Sequence, residues 1–372
     1  METKQESCRL PRNGKRVILF PLPYQGHINP MLQIASVLYS KGFSITIIHT
    51  NLNPLNACNY PHFEFHSISA SLSETEASTE DIVAILIALN AKCVVPFWDC
   101  LVKLTSISNT NSVSAYLAFA AYPILREKCY LPIQDSQLEA PVIECPPLRV
   151  KDIPIFETGD PKNVDKVISA MDESCISWLD KHAPKSVIYV SFGSVVNIDE
   201  TEFLEIAWGL ANSRVPFLWV VRPGLVREAE WLELLPKGFV EMLDGRGHIV
   251  KWAPQQEVLA HPAVGGFLTH GGWNSTLESI CEGVPMICQP YFGDQMVNAR
   301  YISHVWRLGL HLDGKVERRE IEIAVRRVMI ETEGQEMRER ILYSKEKAHL
   351  CLKPGGSSYQ SLERLIDHIL SF

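Results

Sequence analysis

A glycine-rich segment that follows an apolar strand carries the clearest chemistry in the sequence. It reads HGGWNS over residues 270–275 and comes directly after the predicted strand Val264 to Thr269. Paired glycines let a backbone approach a ligand closely, and Asn274 or Ser275 can cap the next helix, whose N–H groups and dipole favour phosphate. The segment therefore predicts an anion site that requires no arginine clamp. An ordinary glycine-rich turn with a capping serine fits these six residues equally well.

Residues around this segment supply the other groups that a nucleotide sugar needs. Trp252 offers a flat aromatic surface on which a base can stack. Glu278 lies one helical turn beyond Ser275, and Asp294 and Gln295 follow the next strand, where their side chains can hold hydroxyl groups. An aromatic surface, a phosphate cradle and hydroxyl acceptors together favour a nucleotide-sugar site.

A second candidate site follows the first strand, in the run PLPYQGHINP over residues 21–30. Its histidine, His27, has a side chain whose reference pKa near 6.5 suits it to accept a proton from a hydroxyl group at neutral pH. A lone histidine after a strand is more often a structural residue. His27 is therefore a candidate general base whose interpretation depends on the surrounding motif.

The elements that position these groups alternate between strand and helix. In the amino-terminal half, the pattern predicts strands at 16–21, 44–50 and 62–68 and helices at 30–40, 81–104 and 114–125. Pro96 should kink or divide the second helix. About three strands are predicted before residue 150, and their βαβ order favours a parallel sheet.

The carboxyl-terminal half alternates more regularly. The predicted strands are 187–192, 216–221, 248–251, 264–269, 286–288 and 309–312, and the predicted helices are 201–212, 255–260, 275–281, one from about 294, and 317–372 with a break at 354–356. This order predicts a nearly complete doubly wound sheet. Ligands of such sheets bind beyond the carboxyl ends of the strands, where both candidate sites lie.

Composition limits the partners. The chain has 372 residues, enough for two to three domains, and its net charge of −8 argues against nucleic acid or an anionic membrane as a partner. No apolar run is long enough for a membrane span, and the polar amino terminus does not resemble a secretory signal. Ten scattered cysteines indicate reduced thiols, so we expect a cytoplasmic protein. We also expect the protein to be a monomer.

The run from Trp252 to Gln295 resembles the signature box of the plant UDP-dependent glycosyltransferases of small molecules. The resemblance extends over Val17 to Phe65 and from Ser177 to the carboxyl terminus. It implies the α/β fold called GT-B, with two facing Rossmann-like domains. The expected domains are an incomplete acceptor-side domain over 1–170, a UDP-sugar donor domain over 171–353, and a carboxyl-terminal helix over 354–372 that packs back on the first domain.

The resemblance also implies a role for each matching residue. Trp252 would stack on uracil, which the Ala253 backbone would also contact, and Glu278 would accept hydrogen bonds from the ribose hydroxyls. Trp273, Asp294 and Gln295 would hold the sugar, and a glutamine at the last position is associated with glucose in the family. The residues implied to hold the phosphates or to complete the donor site are Ser194, Gln255, His270, Asn274 and Ser275. Position 271 is commonly Cys in the family and is Gly here, which should loosen the loop more than it changes the chemistry.

In the same way, His27 would remove the proton of the acceptor hydroxyl as it attacks the sugar, with inversion and with UDP as the leaving group. We expect no cofactor and no metal ion, because the helix dipole and hydrogen bonds meet the phosphate charge. The partners implied are a UDP-sugar and a small acceptor that bears a hydroxyl or carboxyl group.

The sequence departs from the family in the acceptor half. The aspartate that orients the base in the family has no counterpart between Lys103 and Leu125, and Asp99 sits in a helical run, so it is not assigned that role. A second family segment is missing after Lys166. Two functions follow: an inverting UDP-glucose-dependent glucosyltransferase, or a catalytically impaired UDP-sugar-binding protein that lacks the aspartate.

Overall fold

A computed structural model describes residues 14–52, 55, 57–69, 82–105, 110–112, 174–226 and 234–371. These residues divide into two compact units. The first holds the amino-terminal sheet with its helices and the last helix of the chain, and the second holds the elements from residue 174 to 352. The predicted helix at 114–125 and the predicted domain boundary at residue 170 lie outside the described residues.

The first unit contains a four-stranded parallel sheet. Its strands are β1 (Arg16–Leu19), β2 (Ser44–Thr50), β3 (Glu64–Ile68) and β4 (Thr110–Ser112), in the order β3-β2-β1-β4. The short β4 pairs in parallel with β1, from Arg16 opposite Thr110 to Ile18 opposite Ser112. The prediction of about three strands missed β4. This strand consists of three polar residues with no apolar run, so its sequence does not indicate a strand.

The helices of this unit differ from prediction at two prolines. Helix α1 (Gln25–Ser40) begins five residues earlier than predicted and carries Pro30 inside it. Helix α2 (Ile82–Thr105) runs undivided through Pro96. Of the two expected outcomes at Pro96, a kink or a division, the structure therefore excludes the division. Both helices show that an apolar face packed on a sheet outweighs the hydrogen bond a proline removes.

The last helix completes the core of the first unit. Helix α11 (Ser357–Leu370) buries Ile366 and Ile369 against α1 and the β1–β2 face of the sheet. Lys41 at the end of α1 also pairs with Glu363, at 2.5 Å from Nζ to Oε1.

The second unit contains a six-stranded parallel sheet in the order β10-β9-β8-β5-β6-β7. The strands are β5 (Val187–Ser191), β6 (Phe217–Val220), β7 (Gly247–Val250), β8 (Val264–Thr269), β9 (Met286–Cys288) and β10 (Gly309–His311). The order reverses between β5 and β8, which are adjacent and parallel. This is the strand order of dinucleotide-binding domains, whose ligands bind where the order reverses.

Helices cover both faces of this sheet, and each face has its own buried core. They are α3 (Ser174–Leu179), α4 (Glu200–Ser213), α5 (Phe239–Met242), α6 (Gln255–Ala260), α7 (Trp273–Glu282), α8 (Gln295–Arg300), α9 (Arg318–Met329) and α10 (Thr332–Leu352). Strands β5, β6, β8 and β9 are buried along their whole length, as their continuous apolar sequences predict. The predicted doubly wound α/β architecture is confirmed for this half.

Candidate donor-binding site

The site lies at the carboxyl ends of β5 and β8, where the strand order of the second unit reverses. The β5 end continues into Ser191-Phe192-Gly193-Ser194, and the β8 end continues into the HGGWNS segment. Parallel strands bring their carboxyl ends to one edge of the sheet. The two predicted phosphate-binding loops are therefore neighbours.

His270 joins the two loops physically. A Cβ on Gly193 would lie 2.7 Å from Cε1 of the His270 ring, and a Cβ on Gly272 would lie 2.4 Å from its Nε2. No side chain fits at either position without displacing the imidazole. Gly193 also has a φ of +73°, which glycine adopts without strain. The two glycines thus make room for a histidine between the loops.

The environment keeps His270 neutral. The residue is partly buried. Loss of hydration and the positive charge of Arg222 lower its pKa, and a hydrogen bond with the Ser191 backbone raises it by less. Loss of hydration is the largest effect, and the pKa falls to about 4. A neutral imidazole can donate a hydrogen bond from one nitrogen and accept one with the other. His270 is thus a fixed polar group at neutral pH, not a cation.

Helix α7 begins differently from prediction. Its N-cap is Gly272 and its first residue is Trp273, so Asn274 and Ser275 lie inside the first turn and neither is the N-cap residue. The capping prediction was wrong because a two-residue glycine turn already redirects the chain. The first turn holds no acidic residue. Its positive dipole end is consequently not neutralised by a carboxylate of that turn, which suits an anion.

Glu278 is held by two glutamines of α6. The Gln255 amide donates to Glu278 Oε2 at 2.7 Å and to Ser275 Oγ at 2.9 Å, while the Gln256 amide donates to Glu278 Oε1 at 2.9 Å. Gln255 therefore braces the predicted ribose acceptor. Sequence reasoning missed Gln256, although its place beside Gln255 at the start of a helix was visible.

Hydrogen bonds through Asn298 connect Asp294 to the HGGWNS segment, whereas the side chain of Gln295 bonds to the loop before its own helix. Asn298 donates from one amide nitrogen to Asp294 Oδ2 and to the Gly271 carbonyl, both at 2.9 Å. Gln295 is buried, and its Oε1 accepts from the Tyr291 N–H at 2.8 Å and from the Phe292 N–H at 3.2 Å. The carbonyl end of Gln295 is thus committed to the loop, and its amide end is the group left for a ligand. Asn298 was also missed; its spacing of four residues from Asp294 is the signal.

The remaining residues predicted for the donor site lie at the same edge of the sheet. Trp252 and Ala253 follow β7, with Trp252 partly exposed and Ala253 buried, and Ser194 is partly exposed after β5. Trp273 is 45% exposed, and its ring centroid lies 6.4 Å from that of Trp306. Trp252 and Trp273 therefore both present ring surface that a ligand can cover.

His27 lies in the first unit. It stands in the first turn of α1 and is exposed, not in a loop as predicted, and its ring centroid is 6.2 Å from that of Tyr24. Asp99 is exposed in the interior of α2. Across the described ranges, no three His, Cys, Asp or Glu side chains form a group that could hold a metal ion, and no helix is long and apolar enough to cross a membrane.

A doubly wound sheet with a polar cradle at its switch point defines a nucleotide-binding class of protein. Comparison with known proteins gives the family. Residues 170–342 match the family described as UDP-glucoronosyl and UDP-glucosyl transferase. UDP-glycosyltransferase 76B1 of Arabidopsis thaliana is 49% identical, over 97% of this chain and 99% of that protein. The chain therefore belongs to the plant UDP-glycosyltransferases.

Two further similarities agree with this assignment. Flavonol 3-O-glucosyltransferase UGT76E12 of Arabidopsis thaliana is 37% identical over 95% of this chain and 97% of that protein. A solved UDP-glucosyltransferase from Polygonum tinctorium superposes with a TM-score of 0.78 at 24% identity, over 98% of this chain and all of that one, which shows the same GT-B fold. The 76B1 alignment spans 445 residues, more than the 372 of this chain, so that relative has segments without a counterpart here.

Proposed function

We propose that this UDP-glycosyltransferase transfers glucose from UDP-glucose to a small acceptor that bears a hydroxyl or carboxyl group. One observation carries the proposal: the switch point of the second sheet joins a neutral His270, a helix N-terminus with a glycine N-cap and no acidic residue in its first turn, and a braced Glu278 at one edge. These groups suit a diphosphate and the ribose beside it. Trp252, which follows the edge strand β7 at the same carboxyl edge of the sheet, would stack on the uracil.

Glucose is proposed as the sugar on two grounds. The relative UGT76E12 is described as a glucosyltransferase. The Gln295 amide end is directed by the two backbone bonds that fix its carbonyl oxygen. A fixed amide donor discriminates between sugar hydroxyl positions better than a mobile one does. Asp294, held by Asn298, would accept from a neighbouring hydroxyl.

His27 is proposed as the general base. The acceptor oxygen loses its proton to the imidazole as it bonds to the anomeric carbon, and the bond from that carbon to the UDP oxygen breaks, which inverts the centre. The leaving diphosphate would be stabilised by the first turn of α7 with Ser194 and Ser275. No cofactor or metal ion is required in this scheme.

The test is turnover by the full chain. UDP-glucose is mixed with a panel of phenols and hydroxy acids, UDP release is followed, and products are identified by mass spectrometry and by the anomeric coupling constant. We expect β-glucosides from the α-linked donor, and a loss of about 10²- to 10⁴-fold in His27→Ala with UDP affinity unchanged. Full turnover by His27→Ala would refute the assigned base.

A second candidate function is UDP-sugar binding without turnover. It is favoured by the segments of the 76B1 relative that this chain lacks, because one of them would hold the aspartate that the family uses to orient its base. UDP binding in the absence of any glucoside, with every acceptor tried, would support this candidate over the first.

A further inference from the structure

Arg222 is a buried cation beside the predicted phosphate site. It follows β6 at the carboxyl edge of the sheet and is only 5% exposed. Burial lowers its pKa to about 10. It therefore remains charged at neutral pH despite the cost of removing a guanidinium from water.

The guanidinium binds the loop that follows β5. Its Nε donates to the Gly193 carbonyl at 3.1 Å, and its Nη2 donates to the Val196 carbonyl and to Asn197 Oδ1. Its Nη1 reaches the carbonyl of Pro223 at 3.4 Å. These bonds fix the short segment that carries Ser194. Gly193 thus lies between the Arg222 side chain and the His270 ring.

No carboxylate neutralises this charge within the described part of the chain. All four hydrogen-bond acceptors of Arg222 are neutral, three of them backbone carbonyls and one a side-chain amide. A buried charge without a counter-ion is unfavourable, and such charges usually pair with another group. An anion bound between the β5 and β8 loops would supply the missing negative charge.

We propose that Arg222 is a positioning residue for the donor diphosphate, which holds the Gly193–Asn197 loop in place and provides its fixed positive charge. The proposal rests on the proposed function, since it takes UDP as the ligand. It also revises the expectation that the anion site needs no arginine. The arginine acts from behind the loop and not as a clamp on the ligand.

The sequence explains why this residue was missed. Arg222 directly follows the apolar run FLWVV, and the sequence pattern predicts that an isolated arginine after a strand is an exposed charge. The contact between Arg222 and the loop after β5 depends on the parallel pairing of β5 with β6. This pairing places Arg222 beside a loop about 30 residues earlier in the chain. Only the sheet order reveals that proximity.

The test compares UDP with uridine, which lacks the phosphates, by calorimetry on the full chain. The readout is the ratio of the uridine Kd to the UDP Kd. We expect Arg222→Gln to lower this ratio at least tenfold, through weaker UDP binding alone. We expect Arg222→Lys, which keeps the charge but not the forked bonds to the loop, to lower it less than Arg222→Gln does. An unchanged ratio in Arg222→Gln, or a ratio in Arg222→Lys as low as that of Arg222→Gln, would overturn the proposal.

Arg338 provides a matched control. Its guanidinium also binds backbone carbonyls, of Val328 at 2.9 Å and of Gly265 at 3.4 Å, but Gly265 lies near the opposite end of β8. Arg338→Gln should lower the melting temperature and leave the ratio unchanged. If Arg222→Gln does not fold, Arg222→Met replaces it, because methionine is uncharged and needs no buried hydrogen-bond partner. The same tenfold fall is then expected, and an unchanged ratio would overturn the proposal. Absence of UDP binding by the wild-type chain would instead refute the proposed function.

Discussion

Replacing Gly272 with alanine should displace the His270 ring without straining the backbone, so that its effect on UDP affinity can be measured apart from any effect on fold stability. Gly272 has φ −60° and ψ 145°, a conformation that alanine adopts without strain. Its new Cβ would nevertheless lie 2.4 Å from His270 Nε2, whereas ordinary Cβ contacts begin near 3.4 Å. The imidazole must therefore move by about 1 Å.

Forcing an extra carbon into a packed site costs about 1–3 kcal/mol. If that cost falls on the conformation that binds the phosphates, UDP affinity drops by about 5- to 150-fold. Calorimetry with UDP measures the loss, and thermal denaturation reports stability. The structure also predicts which nitrogen is affected, because Nε2 and not Nδ1 faces the new methyl group.

Gly271→Ala is the matched control. Gly271 has a φ of +76°, so alanine there is strained by about 1–2 kcal/mol. Its Cβ would nevertheless meet nothing closer than 3.5 Å, and its nearest neighbours would be the backbone carbonyl of Gln295 and the side chain of Cys288. It should lower stability and leave UDP affinity within a few-fold. The reasoning fails if Gly272→Ala binds UDP within twofold of the wild-type chain.

Three further predictions concern the same unit. Gln255→Ala removes the donor to Glu278 Oε2 and Ser275 Oγ, so the affinities for UDP and for uridine, measured by calorimetry, should both fall about 5- to 20-fold. Affinities equal to those of the wild-type chain would contradict the bracing role. Because the pKa of His270 is lower in the folded chain, the unfolded chain takes up a proton at higher pH than the folded chain does. The stabilisation from neutral His270 should therefore be complete above pH 6.5, and the free energy of unfolding should fall by about 2–3 kcal/mol as the pH drops toward 4. Denaturant titrations of His270→Gln should lack this part of the pH dependence. Asp199 caps α4 by accepting from the Glu202 N–H at 2.8 Å, so Asp199→Ala should cost about 1 kcal/mol of stability with unchanged UDP affinity, and a stability loss below 0.3 kcal/mol would contradict the cap.

Local sequence pattern predicted the second unit well because its strands are buried on both faces. Strands 264–269 and 286–288 and helix 255–260 have the predicted bounds. Continuous apolar runs bounded by glycine and proline leave little choice of register or length. The loops between them then follow from the alternation of strand and helix.

The first unit was harder to predict for a physical reason. Strand β4 has the sequence Thr-Asn-Ser, and its pairing with β1 across more than 90 residues supplies the strand conformation. Prolines 30 and 96 lie inside helices where propensity alone forbids them. In each case, tertiary packing overrides the local preference.

Within the candidate site, the positions of the predicted residues in the fold followed from the sequence, and their internal bonds did not. Glu278, Asp294 and Gln295 stand at the expected edge of the sheet, but the groups that hold them, Gln256 and Asn298, depend on which helices meet there. Arg222 depends on strand order in the same way. A motif nominates the groups for a ligand, whereas the fold determines the groups that orient them.

The most direct test of the account is a calorimetric titration of the full chain with UDP. We expect one UDP per chain, a loss of about 5- to 150-fold in Trp252→Ala from the missing stacking on uracil, and near wild-type affinity in Trp252→Phe, which keeps a flat ring. No binding heat, or an affinity that Trp252→Ala leaves unchanged, would contradict the assignment of the switch point as the donor site.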